Sequence, residues 1–208
     1  EATRRRIEQI IDELRYVPST AARTLRYQGT KTIGLIVPDN ANPFFAEIAR
    51  GVENAGFQAG YSVVLCNSNK SLERELGHLR MLQAKQVDGI IFIASSAHVD
   101  QIRPLVESGI PVVMFYRDPG DLNVDTFKID NRRAGYLATR HLLDLGHRAI
   151  ACIRPASAAQ PSHLRVTGYL DALDEKGIAP REDLILQGDN LLSGGEATAH
   201  LLLDSGAA

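Results

Sequence analysis

From Thr32 onward, short and continuously apolar runs alternate with longer amphipathic ones. Ile33-Gly34-Leu35-Ile36-Val37 has no polar position on either face, which predicts a fully buried strand. Residues 61–66, 88–93 and 110–115 read the same way, and 126–129 as a short edge strand. Asn42 caps the first intervening helix, with Pro43 at its first position and Phe44, Ile48, Val52, Ala55 and Ala59 inward. The second helix carries Leu72, Leu76, Leu79 and Leu82 on one face, and the third covers 99–107. Asp130-Asn131 opens a further helix with Ala134, Leu137, Ala138, His141, Leu142 and Leu145 inward. A strand over 148–153, a helix over 164–176, a strand over 184–187 and a helix over 195–203 follow. Apolar strands separated by helices require a parallel sheet covered on both faces. The fold class is therefore α/β, with doubly wound parallel sheets, and the pattern predicts two of them joined near Asp130.

The segment ahead of these strands differs. Ile7, Ile10, Ile11 and Leu14 form one helical stripe, which Tyr16-Val17-Pro18 stops. Arg4, Arg5 and Arg6 sit at the wrong end of that helix for its dipole. Ser19 then caps a second helix, Thr20 to about Tyr27, closed by Gly29. Two turns of helix do not hold alone in water and need a partner surface. Net charge is -2, yet residues 1–31 carry seven basic and four acidic side chains. A cationic arm on an acidic body suits a polyanion, and equally suits a solvated helix end.

Several classes are excluded. No apolar run is long enough to cross a bilayer, and no secretory pattern opens the chain. Cys66 and Cys152 both lie in apolar runs, as two reduced, buried thiols rather than a disulfide or metal pair. A cytoplasmic protein is expected. The first strand is followed by neither a G-x-G-x-x-G loop nor a Gly-Lys-Ser/Thr, and Pro43 removes an N–H where a phosphate would sit. H-E-x-x-H and G-x-S-x-G are absent, so no enzyme activity, catalytic residue, metal or cofactor is assigned. His141 reads as a packed core or interface residue, and His147 as a helix-end residue after Gly146. Residue 1 is not Met and the last helix ends just before residue 208, so the chain is expected to be truncated at both ends.

Ligands of open parallel sheets bind beyond the carboxyl ends of the strands. Those ends are residues 38–45, 67–69, 94–96 and 116–118. They carry amides (Asn42, Asn67), a hydroxyl (Ser95), adjacent aromatics (Phe44, Phe45) and a guanidinium (Arg117). That set suits a small polar ring such as a sugar or nucleobase, while ordinary capped loops are the plainer alternative.

Taken in order, Arg15-Tyr16-Val17-Pro18-Ser19, Ala22-Arg23-Thr24-Leu25-Arg26, residues 30–38, Asn42-Pro43-Phe44-Phe45, Val87-Asp88-Gly89, Ile129-Asp130-Asn131, Leu145-Gly146-His147-Arg148 and Arg165 before Gly168-Tyr169 resemble the lactose/galactose repressor (LacI/GalR) family. The resemblance implies a cytoplasmic transcriptional repressor. Residues 1–29 would be the last helix of a helix-turn-helix headpiece plus a hinge helix. Residues 31–130 would be the N-terminal lobe, and 131–208 part of the C-terminal lobe, of a periplasmic-binding-protein-like sensor of type I. Ser19, Ala21, Ala22, Arg23, Leu25 and Arg26 would meet the minor groove of operator DNA, with Leu25 as a wedge. Asn42, Phe44, Phe45, Asn67, Ser95, Arg117, Asp130 and Arg165 would line an effector site between the lobes. The partners implied are double-stranded operator DNA, a sugar, sugar phosphate or purine, and a second copy of the chain, as a dimer or a tetramer of dimers. Tyr116 departs from the Asp that many sugar-binding members place before the arginine. A transport-type sugar-binding protein without DNA binding is the alternative, against which the cationic arm argues. A nucleotide or flavin enzyme would need the missing phosphate loop.

Overall fold

The computed structural model describes residues 2–14, 29–93, 99–115, 119–155, 160–189 and 191–206. Helix α1 covers Ala2–Glu13. Its stripe of Ile7, Ile10, Ile11 and Leu14 stands exposed, as expected of a face that needs a partner.

Among the described residues two parallel sheets form. The larger has the order β2-β1-β3-β4-β5, from β1 (Thr32–Val37), β2 (Ser62–Asn67), β3 (Gly89–Ile93), β4 (Val112–Phe115) and β5 (Asp125–Phe127). Register runs Ile33↔Val63, Ile33↔Gly89, Ile90↔Val112 and Val113↔Asp125. The predicted edge strand is therefore real and parallel. Two crossover helices are α2 (Pro43–Gln58) and α3 (Leu72–Ala84). One face of the sheet buries Ile36, Phe92 and Met114 with Leu79 and Leu82 of α3. The other buries Leu35, Val37 and Ile93 under Phe45, Ile48, Ala49 and Val52 of α2. Gly34 lets α3 press close, since a Cβ there would lie 2.5 Å from Leu82 Cδ1.

Three inward faces differ from expectation. On α2 the buried side is Phe45, Ile48, Ala49, Val52 and Gly56, while Phe44, Ala55 and Ala59 are exposed. On α3 Glu75 is buried, and its carboxylate accepts from Gln101 Nε2 at 2.8 Å, while Leu72 is exposed. Residues 99–107 split into a 3-10 turn, Val99–Ile102, and α4, Arg103–Glu107. Pro104 in the first turn of α4 has no N–H to carry the ladder back, and it disfavours helical backbone before it.

The smaller sheet pairs β6 (Cys152–Pro155) with β7 (Ile185–Gly188). Around it stand α5 (Asn131–Asp144), α6 (Gln160–Glu175) and α7 (Leu192–Asp204). Helix α5 buries Asn131, Thr139 and Leu143. The predicted stripe of Ala134, Leu137, Ala138, His141, Leu142 and Leu145 is exposed instead. The reason is a close crossing with α6. A Cβ on Gly135 would lie 2.1 Å from Arg165 O, and one on Gly168 1.9 Å from Arg132 O. Small residues thus mark the contact, and the larger apolar ones face away. Arg132 forks onto Asp171 (2.6 and 2.9 Å), and Arg140 bridges Asp144 and Glu175. The helix ends at Gly146 (φ 95°), whose N–H reaches Leu143 O while that of His147 reaches Leu142 O.

Candidate functional site

Because β1 and β2 are parallel with Val37 opposite Asn67, their carboxyl ends open on one rim. The chain after each strand is tied to its neighbour. Ser68, fully buried, donates its N–H (2.9 Å) and hydroxyl (3.3 Å) to Val37 O. Lys70 N–H donates to Pro38 O, and Asn69 and Lys70 take left-handed backbone. Asn67 Nδ2 donates to Asn40 Oδ1 at 2.9 Å, and Asn67 Oδ1 accepts from Asn69 N–H at 3.2 Å. His78 Nε2 donates to the carbonyl of Asn67 at 3.2 Å. Asn42 Oδ1 accepts from Phe44 N–H at 3.0 Å as the cap of α2. Phe45 packs on the core, and Phe44 meets it edge-on at 5.1 Å, exposing 40% of its surface. The structure thus brings Asn42, Phe44, Phe45 and Asn67 to one rim, as rigid amides beside an open aromatic face.

A second group surrounds the start of α5. Asp130 caps the helix, its Oδ1 accepting from Arg133 N–H at 2.8 Å. Arg165 of α6 donates from Nη1 to Asn131 Oδ1 at 2.6 Å. Asn131 in turn donates from Nδ2 to Ile129 O at 3.0 Å. Asn131 was missed from the sequence, where it reads as half of a helix start. Ser68 and Asn40 were missed too, as ordinary loop polars. Ser95 and Arg117 lie outside the described residues, and so do Ser19, Ala21, Ala22, Arg23, Leu25 and Arg26. Among the described residues no group of His, Cys, Asp or Glu is placed to hold a metal ion.

The amino ends of β1 and β3 meet on the opposite rim. There Asp88 accepts from Thr30 N–H, Thr30 Oγ1 and Lys31 N–H.

Residues 30–206 match the family described as periplasmic binding proteins and sugar binding domain of LacI family. The chain belongs to that family. Among LacI-family relatives, it is 36% identical over 190 residues to the HTH-type transcriptional repressor PurR of Photobacterium profundum, covering 91% of this chain and 57% of that protein. The transcription regulator CcpA of Lactococcus lactis superposes with a TM-score of 0.72 at 34% identity, over 84% of this chain and 65% of that one. A LacI family transcriptional regulator from Enterococcus faecium with bound ribose gives the same TM-score and identity, over 84% of this chain and 63% of that one. The chain therefore spans little more than half the length of the curated LacI-family relatives it matches.

Proposed function

We propose that this chain is the sensing portion of a DNA-binding transcriptional repressor, with a binding rather than a catalytic role. A small polar metabolite, a sugar, sugar phosphate or purine, sets its hold on operator DNA. The bounds are those read from the sequence: 1–29 for the headpiece remnant and hinge, 31–130 and 131–208 for two lobes. Phe44, Phe45, Asn42 and Asn67 line the effector from one lobe, with Ser95 and Arg117. Arg165 and Asp130 meet it from the other. Ser19, Ala21, Ala22, Arg23, Leu25 and Arg26 meet the duplex, as a cytoplasmic homodimer.

One observation carries the reading. The cationic segment of residues 1–31 runs directly into β1 of a LacI-family sensor lobe whose other rim presents fixed amides beside an open aromatic. The relatives support it, since PurR is named a repressor and the Enterococcus faecium protein holds ribose. The test is a thermal-shift screen of sugars, sugar phosphates and purines on the full-length protein, paired with selection of duplexes from a random pool. A hit must raise the melting temperature in proportion to dose and change affinity for the selected duplex. A ligand that stabilises without changing DNA affinity would favour a transport-type binder.

A further inference from the structure

The join between the N-terminal segment and the sensor is built more tightly than a linker requires. Asp88 Oδ1 accepts from Thr30 N–H at 2.6 Å and from Thr30 Oγ1 at 2.9 Å, and Oδ2 accepts from Lys31 N–H at 3.0 Å. These contacts span 57 and 58 residues of sequence. The Thr30 hydroxyl also reaches Gln86 O at 3.2 Å. On the other flank the Lys31 ammonium lies 4.5 Å from the Tyr61 ring centroid, and Lys31 O accepts from Ser62 N–H. Lys31 and Gln86 both hold left-handed backbone, φ 52° each, which side chains other than glycine adopt only when their surroundings enforce it. Gly29 fits because a Cβ there would already crowd Asp88 Oδ2 at 3.2 Å. Folding of β1 needs none of this, since its ladder with β2 and β3 begins beyond Lys31.

We propose that Asp88 is a positioning residue for DNA binding: its carboxylate clasps Thr30 and Lys31 and so fixes where the DNA-binding segment leaves the sensor. This rests on the reading of residues 19–26 as that segment. A segment that orders on the duplex binds more tightly when its anchor is already ordered, because each freed backbone residue must be immobilised again. Asp88 also opens β3, the strand whose far end runs into the loop carrying Ser95. The clasp therefore sits at the head of a rigid rod that ends at the proposed effector rim.

The experiment compares wild type with Asp88→Ala on the full-length protein, using a duplex that the wild type recovers from a random-sequence pool. Amide exchange reports the clasp directly. Asp88→Ala is expected to expose the Thr30 and Lys31 amides and to weaken duplex binding about tenfold or more, the order for re-ordering one or two residues. The slope of log affinity against log salt is expected to stay unchanged, because no phosphate contact is lost. Melting temperature and active fraction should hold, which a merely structural lesion would not allow. Unchanged affinity with exposed amides overturns the proposal, and so does a fall in affinity accompanied by a changed salt slope. If Asp88→Ala does not fold, Thr30→Val removes the hydroxyl bonds alone. It should weaken binding about threefold, and no change again overturns the proposal. Failure of the wild type to recover any duplex defeats the regulator reading itself, and the clasp's role in DNA binding falls with it.

Discussion

Asn131 uses both ends of its amide, taking a proton from Arg165 and giving one to Ile129 O, while only 6% of its surface meets solvent. Removing it leaves a guanidinium that has lost an anchor and a carbonyl that has lost a donor. Asn131→Ala is expected to cost roughly 1–3 kcal/mol of stability. Urea denaturation measures that, and a loss below a few tenths would show the amide to be dispensable. Because Arg165 loses its orientation, affinity for an effector found in the screen should drop as well. The thiols offer a second test at this scale. Burial pushes both Cys66 and Cys152 up, and for Cys152 the nearby Arg165 and Arg154 pull back against it. Cys152 is also the more accessible of the two. A disulfide reagent near pH 8 should therefore label Cys152 well before Cys66, as peptide mapping would show. Such roles were hidden in the sequence. Asn131 meets Arg165 across 34 positions and Asp88 meets Thr30 across 58, and no local pattern announces partners that distant.

Helices and strands were legible to different degrees. Each long apolar run of the larger sheet became a strand within a residue or two, because a run with no polar side fits only where both faces are covered. Asn42, Ser71 and Asp130 cap their helices by side-chain bonds, as short acceptors at such positions do. The orientation of α5 was not legible. A period of apolar residues names the buried face only when bulk drives the contact, and here Gly135 and Gly168 bring two backbones together. Two substitutions separate these cases. Gly168→Ala puts a methyl 1.9 Å from Arg132 O, so the helices must part, at a cost of about 1–3 kcal/mol or more. Gly51→Ala in α2 meets nothing within 4 Å and should stabilise by roughly 0.5–1 kcal/mol. Chemical denaturation of the two variants should move the midpoint in opposite directions, and equal shifts would refute the crossing.

At the scale of the molecule the two sheets differ in what holds them. The larger is sealed by buried aliphatics on both faces. The smaller has a slighter core around Leu143, Ile150, Tyr169, Ala172 and Leu173, with exposed ion pairs along α5 and α6. Hydrogen bonds from Arg140 hold Asp144 below its ordinary 3.8, those from Arg132 do the same for Asp171, and Tyr136 with Arg140 holds Glu175 below 4.5. Depressed carboxylates favour the folded form above those ordinary values, and that contribution is lost as pH falls through the lowered folded ones. Being exposed, the pairs are screened by salt and individually weak. Amides of β6 and β7 should thus exchange faster than those of β1 and β3, and their protection should fall first on acidification from about pH 5 to 3. Uniform protection across both sheets would contradict this.

Parallel strands have a consequence for inheritance. All amino ends of the larger sheet lie on one rim and all carboxyl ends on the other, about 20 Å apart for a strand of this length. A mutation that alters the chemistry offered at one rim leaves the opposite rim's atoms where they were. What such a chain recognises and where it is anchored can drift as separate traits, each open to selection without dismantling the other.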